Sequence, residues 1–168
     1  MKPLVSILMG STSDLPVMED ALKFLEEMKI PFEVNALSAH RTPDEVMLFA
    51  RSAPERGVKV FIAGAGMAAH LPGVVAALTP LPVIGVPIKG SFDGLDAVLS
   101  ILQMPPGIPV ATVAVNGARN AAILALQILS TGDDQLMKKM IRFKAELKDK
   151  IVKANKELEK LQYKYRVV

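Results

Sequence analysis

Short apolar runs alternate with segments of helical periodicity from the first residues to about residue 131. Leu4–Met9, Phe32–Leu37, Val58–Ala63, Pro82–Val86 and Pro109–Val115 are the strand candidates, all apolar enough to be buried on both faces as parallel strands are. Leu15–Met28, Pro43–Ala53, Leu71–Leu78, Leu95–Gln103 and Ala118–Leu129 fill the gaps with apolar residues at steps of three and four. Five βα units in series predict an α/β fold with three layers, α/β/α, in which helices cover both faces of an open five-stranded parallel sheet.

The strand order expected is flavodoxin-like, 2-1-3-4-5. After Gly132 the pattern changes. Leu136, Met140, Phe143, Leu147, Ile151, Ala154, Leu158, Leu161 and Tyr165 recur at helical spacing with no Gly or Pro between them, which predicts one long C-terminal amphipathic helix. Residues 1–132 are thus read as a flavodoxin-like domain and 133–168 as an oligomerisation helix of the same single domain. At ~1.5 Å per residue, about 30 residues extend ~45 Å. A domain of this size has a radius of gyration of ~15 Å and a body about 40 Å across, so the helix is expected to overhang. An overhanging apolar stripe needs cover, and Val74–Leu78 and Val98–Leu102 offer scarcely any solvated face either. A homo-oligomer is predicted.

The chain has 168 residues, 51% of them hydrophobic, enough for one sizeable core and too apolar for disorder. Cysteine is absent, which excludes disulfides, thiolate zinc sites and thiol nucleophiles. Residues 1–132 hold 9 Lys+Arg against 11 Asp+Glu, a net of −2, whereas residues 133–168 hold 11 against 6, a net of +5. The basicity belongs to a tail in which acids are interleaved, the pattern of a solvated helix face and not of a nucleic-acid surface. No residue between Lys59 and Lys89 carries a fixed charge, but Pro72, Pro80, Pro82 and Pro87 would break any membrane-spanning helix there. The first apolar run is too short for a secretory segment. A cytoplasmic protein with neither membrane nor nucleic-acid partners is expected.

In an open parallel sheet, ligands bind beyond the carboxyl ends of the strands where the strand order reverses. With order 2-1-3, the loops after the first three strands are neighbours there, and all three are unusual. Gly10-Ser11-Thr12-Ser13-Asp14 can cradle an anion with hydroxyls and helix N-terminal amides; capping of the helix by Ser13 or Asp14 is the other reading. In Ser38-Ala39-His40-Arg41-Thr42-Pro43, Pro43 suits the first helical turn and Thr42 the cap. His40 beside Arg41 is either a proton-transfer group next to an anion clamp or an ordinary surface pair. The third loop, Ala63 to Pro72, satisfies G-x-G-x-x-A at Gly64, Gly66 and Ala69. That spacing fits a dinucleotide or, equally, a small-residue loop letting a planar ligand approach the backbone, and His70 is a structural histidine or a participant.

A flavin carrier would want aromatic rings, yet Trp is absent and both Tyr residues lie in the tail. A phospho-receiver would want an acidic cluster after the first strand and an Asp after the third, and neither exists. A metal site would have to draw His40, His70 and Asp14 from three loops, without any spacing signature. On these residues neither a flavin nor a metal is expected.

Met9-Gly10-Ser11-x-Ser13-Asp14, Ser38-Ala39-His40-Arg41-Thr42-Pro43, Ala63-Gly64-Ala65-Gly66-x-Ala68-Ala69-His70-Leu71-Pro72-Gly73 and Gln103-Met104-Pro105-x-Gly107-Ile108-Pro109-Val110 form a specific set in this order. From about residue 4 to residue 131 the chain resembles the 5-(carboxyamino)imidazole ribonucleotide mutases of bacterial de novo purine synthesis, the class I catalytic subunit of phosphoribosylaminoimidazole carboxylase. The resemblance implies a flavodoxin-like core, an octamer, and an isomerase that moves a carboxylate from the exocyclic nitrogen of a phosphoribosyl-imidazole to the adjacent ring carbon without cofactor or metal. It also implies that His40 is the general acid and base. Ser11, Ser13, Asp14 and Arg41 would hold phosphate and ribose, and Ser38 would line the site. The loop carrying Gly66, Ala69, His70 and Leu71 would close over the base and trap carbon dioxide. Two alternatives are direct carboxylation of aminoimidazole ribonucleotide and a non-catalytic oligomer that binds a nucleotide phosphate. One departure is visible: the loop Val115–Asn120 is shorter than its family counterpart and carries a charge at Arg119.

Overall fold

A computed structural model describes residues 1–167. Its five strands are β1 (Val5–Met9), β2 (Phe32–Ala36), β3 (Val60–Gly66), β4 (Val83–Ile88) and β5 (Ala111–Thr112). All pair in parallel, in the order β2-β1-β3-β4-β5, which is the flavodoxin-like topology the pattern predicts. The helices are α1 (Leu15–Glu27), α2 (Pro43–Arg51), α3 (Ala53–Arg56), α4 (Leu71–Leu78), α5 (Leu95–Leu102), α6 (Ala118–Ser130) and α7 (Asp134–Glu159). Met9 is level with Ala36 on one side and Gly64 on the other, so β1 and β2 end level, β3 runs two residues further, and all three release their loops at one edge.

Burial follows position in the sheet. The central strands β1 and β4 are buried throughout, and β3 up to Ala65, as expected for strands covered on both faces. The edge strands depart from that expectation. β2 is only partly buried, with Val34 exposed, and its Glu33 pairs with Arg56, whose Nη2 stands 2.9 Å from Glu33 Oε1 and whose guanidinium lies 4.0 Å over the Phe49 ring. β5 shrinks to two residues. Val113 N and Asn116 N still donate to Gly85 O (3.1 Å) and Pro87 O (2.8 Å), but Pro87 has no N–H to return across that edge.

The expected helix Pro43–Ala53 divides. α2 stops at Arg51, and α3 begins a new turn at Ala53 with Pro54 in its first positions, where a missing N–H is harmless. β3 runs to Gly66 and β4 to Ile88, past their predicted ends at Ala63 and Val86, so residues expected in loops extend the sheet toward the ligand edge. At Gly64 a Cβ would run into Met18 Sδ and lie 3.1 Å from Ile88 Cδ1. Glycine there lets α1 lie close on the sheet.

The chain divides into two compact units, Met1–Leu129 and a C-terminal unit from Ser130. In the first, Leu8, Phe61, Val46, Ala50, Val75 and Ile101 belong to one buried apolar cluster. In the second, the Asp133 carboxylate caps α7 by accepting from Gln135 N (2.8 Å) and Leu136 N (3.1 Å). Leu136, Met140 and Phe143 are buried, while Leu147, Ile151 and Leu158 on the continuing stripe are exposed. The helix ends at Glu159, short of Leu161 and Tyr165, which the periodicity includes. Arg166 Nη1 folds back to donate to Glu159 O (3.1 Å) and Leu161 O (2.7 Å), satisfying carbonyls a further turn would have used. Among the described residues no helix is long and apolar enough to cross a membrane.

Candidate active site

The first loop turns as a short 3-10 segment, Thr12–Asp14, whose cap is Ser11: its Oγ accepts from Ser13 N at 3.4 Å. Asp14 then occupies the cap position of α1 without making a side-chain capping bond, so neither Ser13 nor Asp14 caps that helix as expected. Burial pushes the half-buried Asp14 carboxyl above the usual aspartate range. Hydrogen bonds from the Ser11 backbone, the Ser13 side chain and the Gly10 backbone, together with the charge of Arg41, pull against that rise.

The second loop is organised by two side-chain oxygens. Ser38 Oγ accepts from His40 N (3.4 Å), Arg41 N (3.2 Å) and Arg41 Nε (3.4 Å). Thr42 Oγ1 accepts from Ser38 N (2.9 Å) and donates to Ser38 O (3.1 Å), so Thr42 stands at the cap position of α2 but spends its hydroxyl on closing the loop. Two further bonds leave this loop. Arg41 Nη2 donates to Gly10 O at 2.8 Å, joining the second loop to the first. His40 Nε2 and His70 Nδ1 stand 2.8 Å apart with their rings nearly perpendicular, joining the second loop to the third. The only two histidines in the chain therefore meet.

These loops enclose an open cavity of about 790 Å³, large enough for a nucleotide-sized ligand. Ser11, Ser13 and Asp14 line it from the first loop, and Ser38, His40 and Arg41 from the second. Gly66, His70 and Leu71 line it from the third. Ala69 does not. It is fully buried in the apolar cluster with Val46 and Leu71, beneath the loop whose surface it was expected to form. Gly64 serves packing against α1, so the G-x-G-x-x-A spacing reflects close approach within the fold and not a pyrophosphate turn. Met67, at φ +56 and largely exposed, holds the third loop in a conformation that non-glycine residues seldom adopt.

Three lining residues, Ile88, Lys89 and Gly90, follow from the fourth strand and were not among the expected positions. The strand order itself carries the signal, since β4 adjoins β3 and ends level with Gly66. Lys89 N donates to Asn116 Oδ1 (2.9 Å), and its Nζ pairs with Asp93 (2.8 Å). Arg119, expected in the shortened loop, lies in the first turn of α6; it pairs with Glu27 at 3.3 Å, its guanidinium over the Phe24 ring, and does not line the cavity. Among the described residues no three His, Asp or Glu side chains gather as metal ligands would.

The cavity therefore offers hydroxyls, one guanidinium and one ammonium for an anionic, hydroxylated ligand, and an imidazole pair for proton transfer. A family model described as AIR carboxylase matches residues 4–150. The N5-carboxyaminoimidazole ribonucleotide mutase of Pyrococcus horikoshii is 55% identical over 161 residues, covering 95% of this chain and 91% of that protein. The phosphoribosylaminoimidazole carboxylase of Schizosaccharomyces pombe is 54% identical over 163 residues, 96% of this chain but 30% of that longer protein. A crystal structure of Treponema denticola PurE superposes with a TM-score of 0.85 at 31% identity, over 95% of this chain and all of that one. Sequence and topology agree over nearly the whole length, and the chain belongs to the AIR carboxylase family.

Proposed function

We propose that this protein is the isomerase its mutase relatives are named for, converting N5-carboxyaminoimidazole ribonucleotide to the 4-carboxylate of aminoimidazole ribonucleotide in de novo purine synthesis, with His40 as general acid and base. In the first half-reaction the carbamate C–N bond breaks, carbon dioxide leaves, and His40 gives its proton to the exocyclic nitrogen. In the second, the enamine carbon of the ring attacks carbon dioxide, and His40 takes back the proton from that carbon. The proton count closes on one imidazole, a group that can give and take the same proton. Ser11, Ser13 and Arg41 hold the phosphate, Asp14 accepts from the ribose, and Ser38, Gly66 and Leu71 border the base, where exclusion of water retains the gas. Catalysis takes place in the cytoplasm, in a homo-oligomer that the resemblance makes an octamer.

The observation that carries this reading is the linkage of the three loops, Gly10 to Arg41 and His40 to His70, around one cavity. The test is an isomerase assay on the carbamate nucleotide with no metal, nucleoside triphosphate or bicarbonate. Turnover is expected in the wild type, and His40→Asn should retain fold and nucleotide binding while losing about 10²–10⁴-fold in kcat. Activity that appears only when bicarbonate is added would make the protein a carboxylase. Binding without interconversion would make it a nucleotide-binding module.

A further inference from the structure

The 2.8 Å approach of His40 Nε2 to His70 Nδ1 ties the protonation of one ring to that of the other. One nitrogen must donate and the other must accept. Two neutral rings in this contact therefore share a tautomer: both carry their proton on Nε2, or both on Nδ1. Protonated His40 allows only one of these, because both of its nitrogens then donate, and His70 must accept at Nδ1 and keep its own proton on Nε2. His40 Nδ1, which makes no hydrogen bond among the described residues, is left as the position where a proton can come and go.

We propose that His70 is the positioning residue for His40: as a neutral imidazole it accepts the Nε2–H, locks the ring, and leaves Nδ1 to exchange the proton with substrate. This rests on the isomerase reading above and adds to it the third member of an acid–base arrangement, the group that orients the base. The same hydrogen bond persists in both states of His40, since only the Nδ1 proton moves. Its donor is charged in the acid form and neutral in the base form, so His70 stabilises the imidazolium more than the imidazole. No carboxylate is needed in that place. An orienting group that accepts as a neutral ring adds no negative charge to oppose a substrate bearing a phosphate and a carbamate. With the nitrogens 2.8 Å and the ring centroids 5.0 Å apart, the two rings meet nearly end to end at these nitrogens, with their planes crossed at 79°.

The test combines nitrogen NMR of the imidazoles with kinetics on the full-length protein. In the substrate-free wild type at alkaline pH, where both rings are neutral, His40 and His70 should both be Nε2–H tautomers. In His70→Leu, which removes the acceptor but keeps bulk, His40 should lose that fixed tautomer, and kcat should fall about 10–100-fold with KM changed less than about threefold. His70→Asn, whose side-chain oxygen can accept near the Nδ1 position, should recover most of the loss. An Nδ1–H tautomer of His40 in the wild type, or a His70→Leu variant that keeps kcat, would overturn the proposal. A KM effect larger than the kcat effect would likewise overturn it, making His70 a binding residue. The tautomer measurement needs no turnover, so a wild type inactive as an isomerase would count against the proposed reaction and still leave the role of His70 decided by the spectrum.

Discussion

Ser38 and Asp14 show how single side chains set the site before any ligand arrives. Ser38 gathers two backbone N–H groups and the Arg41 side chain onto one oxygen, so the guanidinium is held toward Gly10 and does not sweep solvent. Asp14 works in the opposite sense. Its carboxyl is raised by burial, so the folded chain binds that proton more tightly than the unfolded chain does. Stability from this group is fully present below the ordinary aspartate range and is lost as pH rises through the folded-state value. Asp14→Asn should therefore be at least as stable as wild type at pH 7, with the advantage vanishing in acid, while nucleotide affinity falls. Thermal unfolding between pH 3 and pH 7 checks the stability, and a nucleotide titration checks the affinity; a variant less stable at pH 7 would contradict it. That Asp14 fails to cap α1 could not be read from Ser13-Asp14-Leu15, because the residue types suit a cap and only the turn around Ser11 decides which oxygen serves.

At the scale of elements, the site depends on how closely α1 lies on the central strands. Met18 is fully buried, and Gly64 is the position on β3 that admits its sulfur. Gly64→Ala should destabilise the fold by about 1–3 kcal/mol through overpacking, read as a lower urea midpoint with an unchanged slope. Unaltered stability would mean that α1 rides further from the sheet than described. Strand interiors were legible in the apolar runs, but strand ends were not: β3 and β4 run past their predicted ends because Ala65, Gly66, Pro87 and Ile88 pair across the sheet, an arrangement made between strands and not within one. Thr42 carries the same lesson. Its position before Pro43 is that of a cap, yet its hydroxyl goes to Ser38, four residues back.

For the whole molecule, the unresolved account is apolar surface. α5 exposes Leu95, Leu99 and Leu102 at helical spacing, and α7 exposes Leu147, Ile151 and Leu158. Such stripes are costly in water and are the expected faces of protomer contacts. Light scattering at micromolar concentration should give a mass several times that of the 18.1 kDa chain, and Leu99→Glu should lower it. A monomeric mass for the wild type would remove the oligomer from the proposed function.

The alternation of apolar runs and helical periods determined the five βα units and the long tail helix, because burial on both faces leaves an unbroken apolar run and burial of one stripe leaves an apolar residue every third or fourth position. The motif loops likewise pointed to the edge where the cavity opens, because the loops that follow the first three strands of a 2-1-3 order are neighbours there. Tertiary structure alone decided that the two histidines touch, that Ala69 turns inward, that Lys89 joins the cavity, and that Arg119 serves a distant ion pair. Each of these depends on distances across strands or between loops far apart in the chain, and such distances are set by packing and not by any local run of residues.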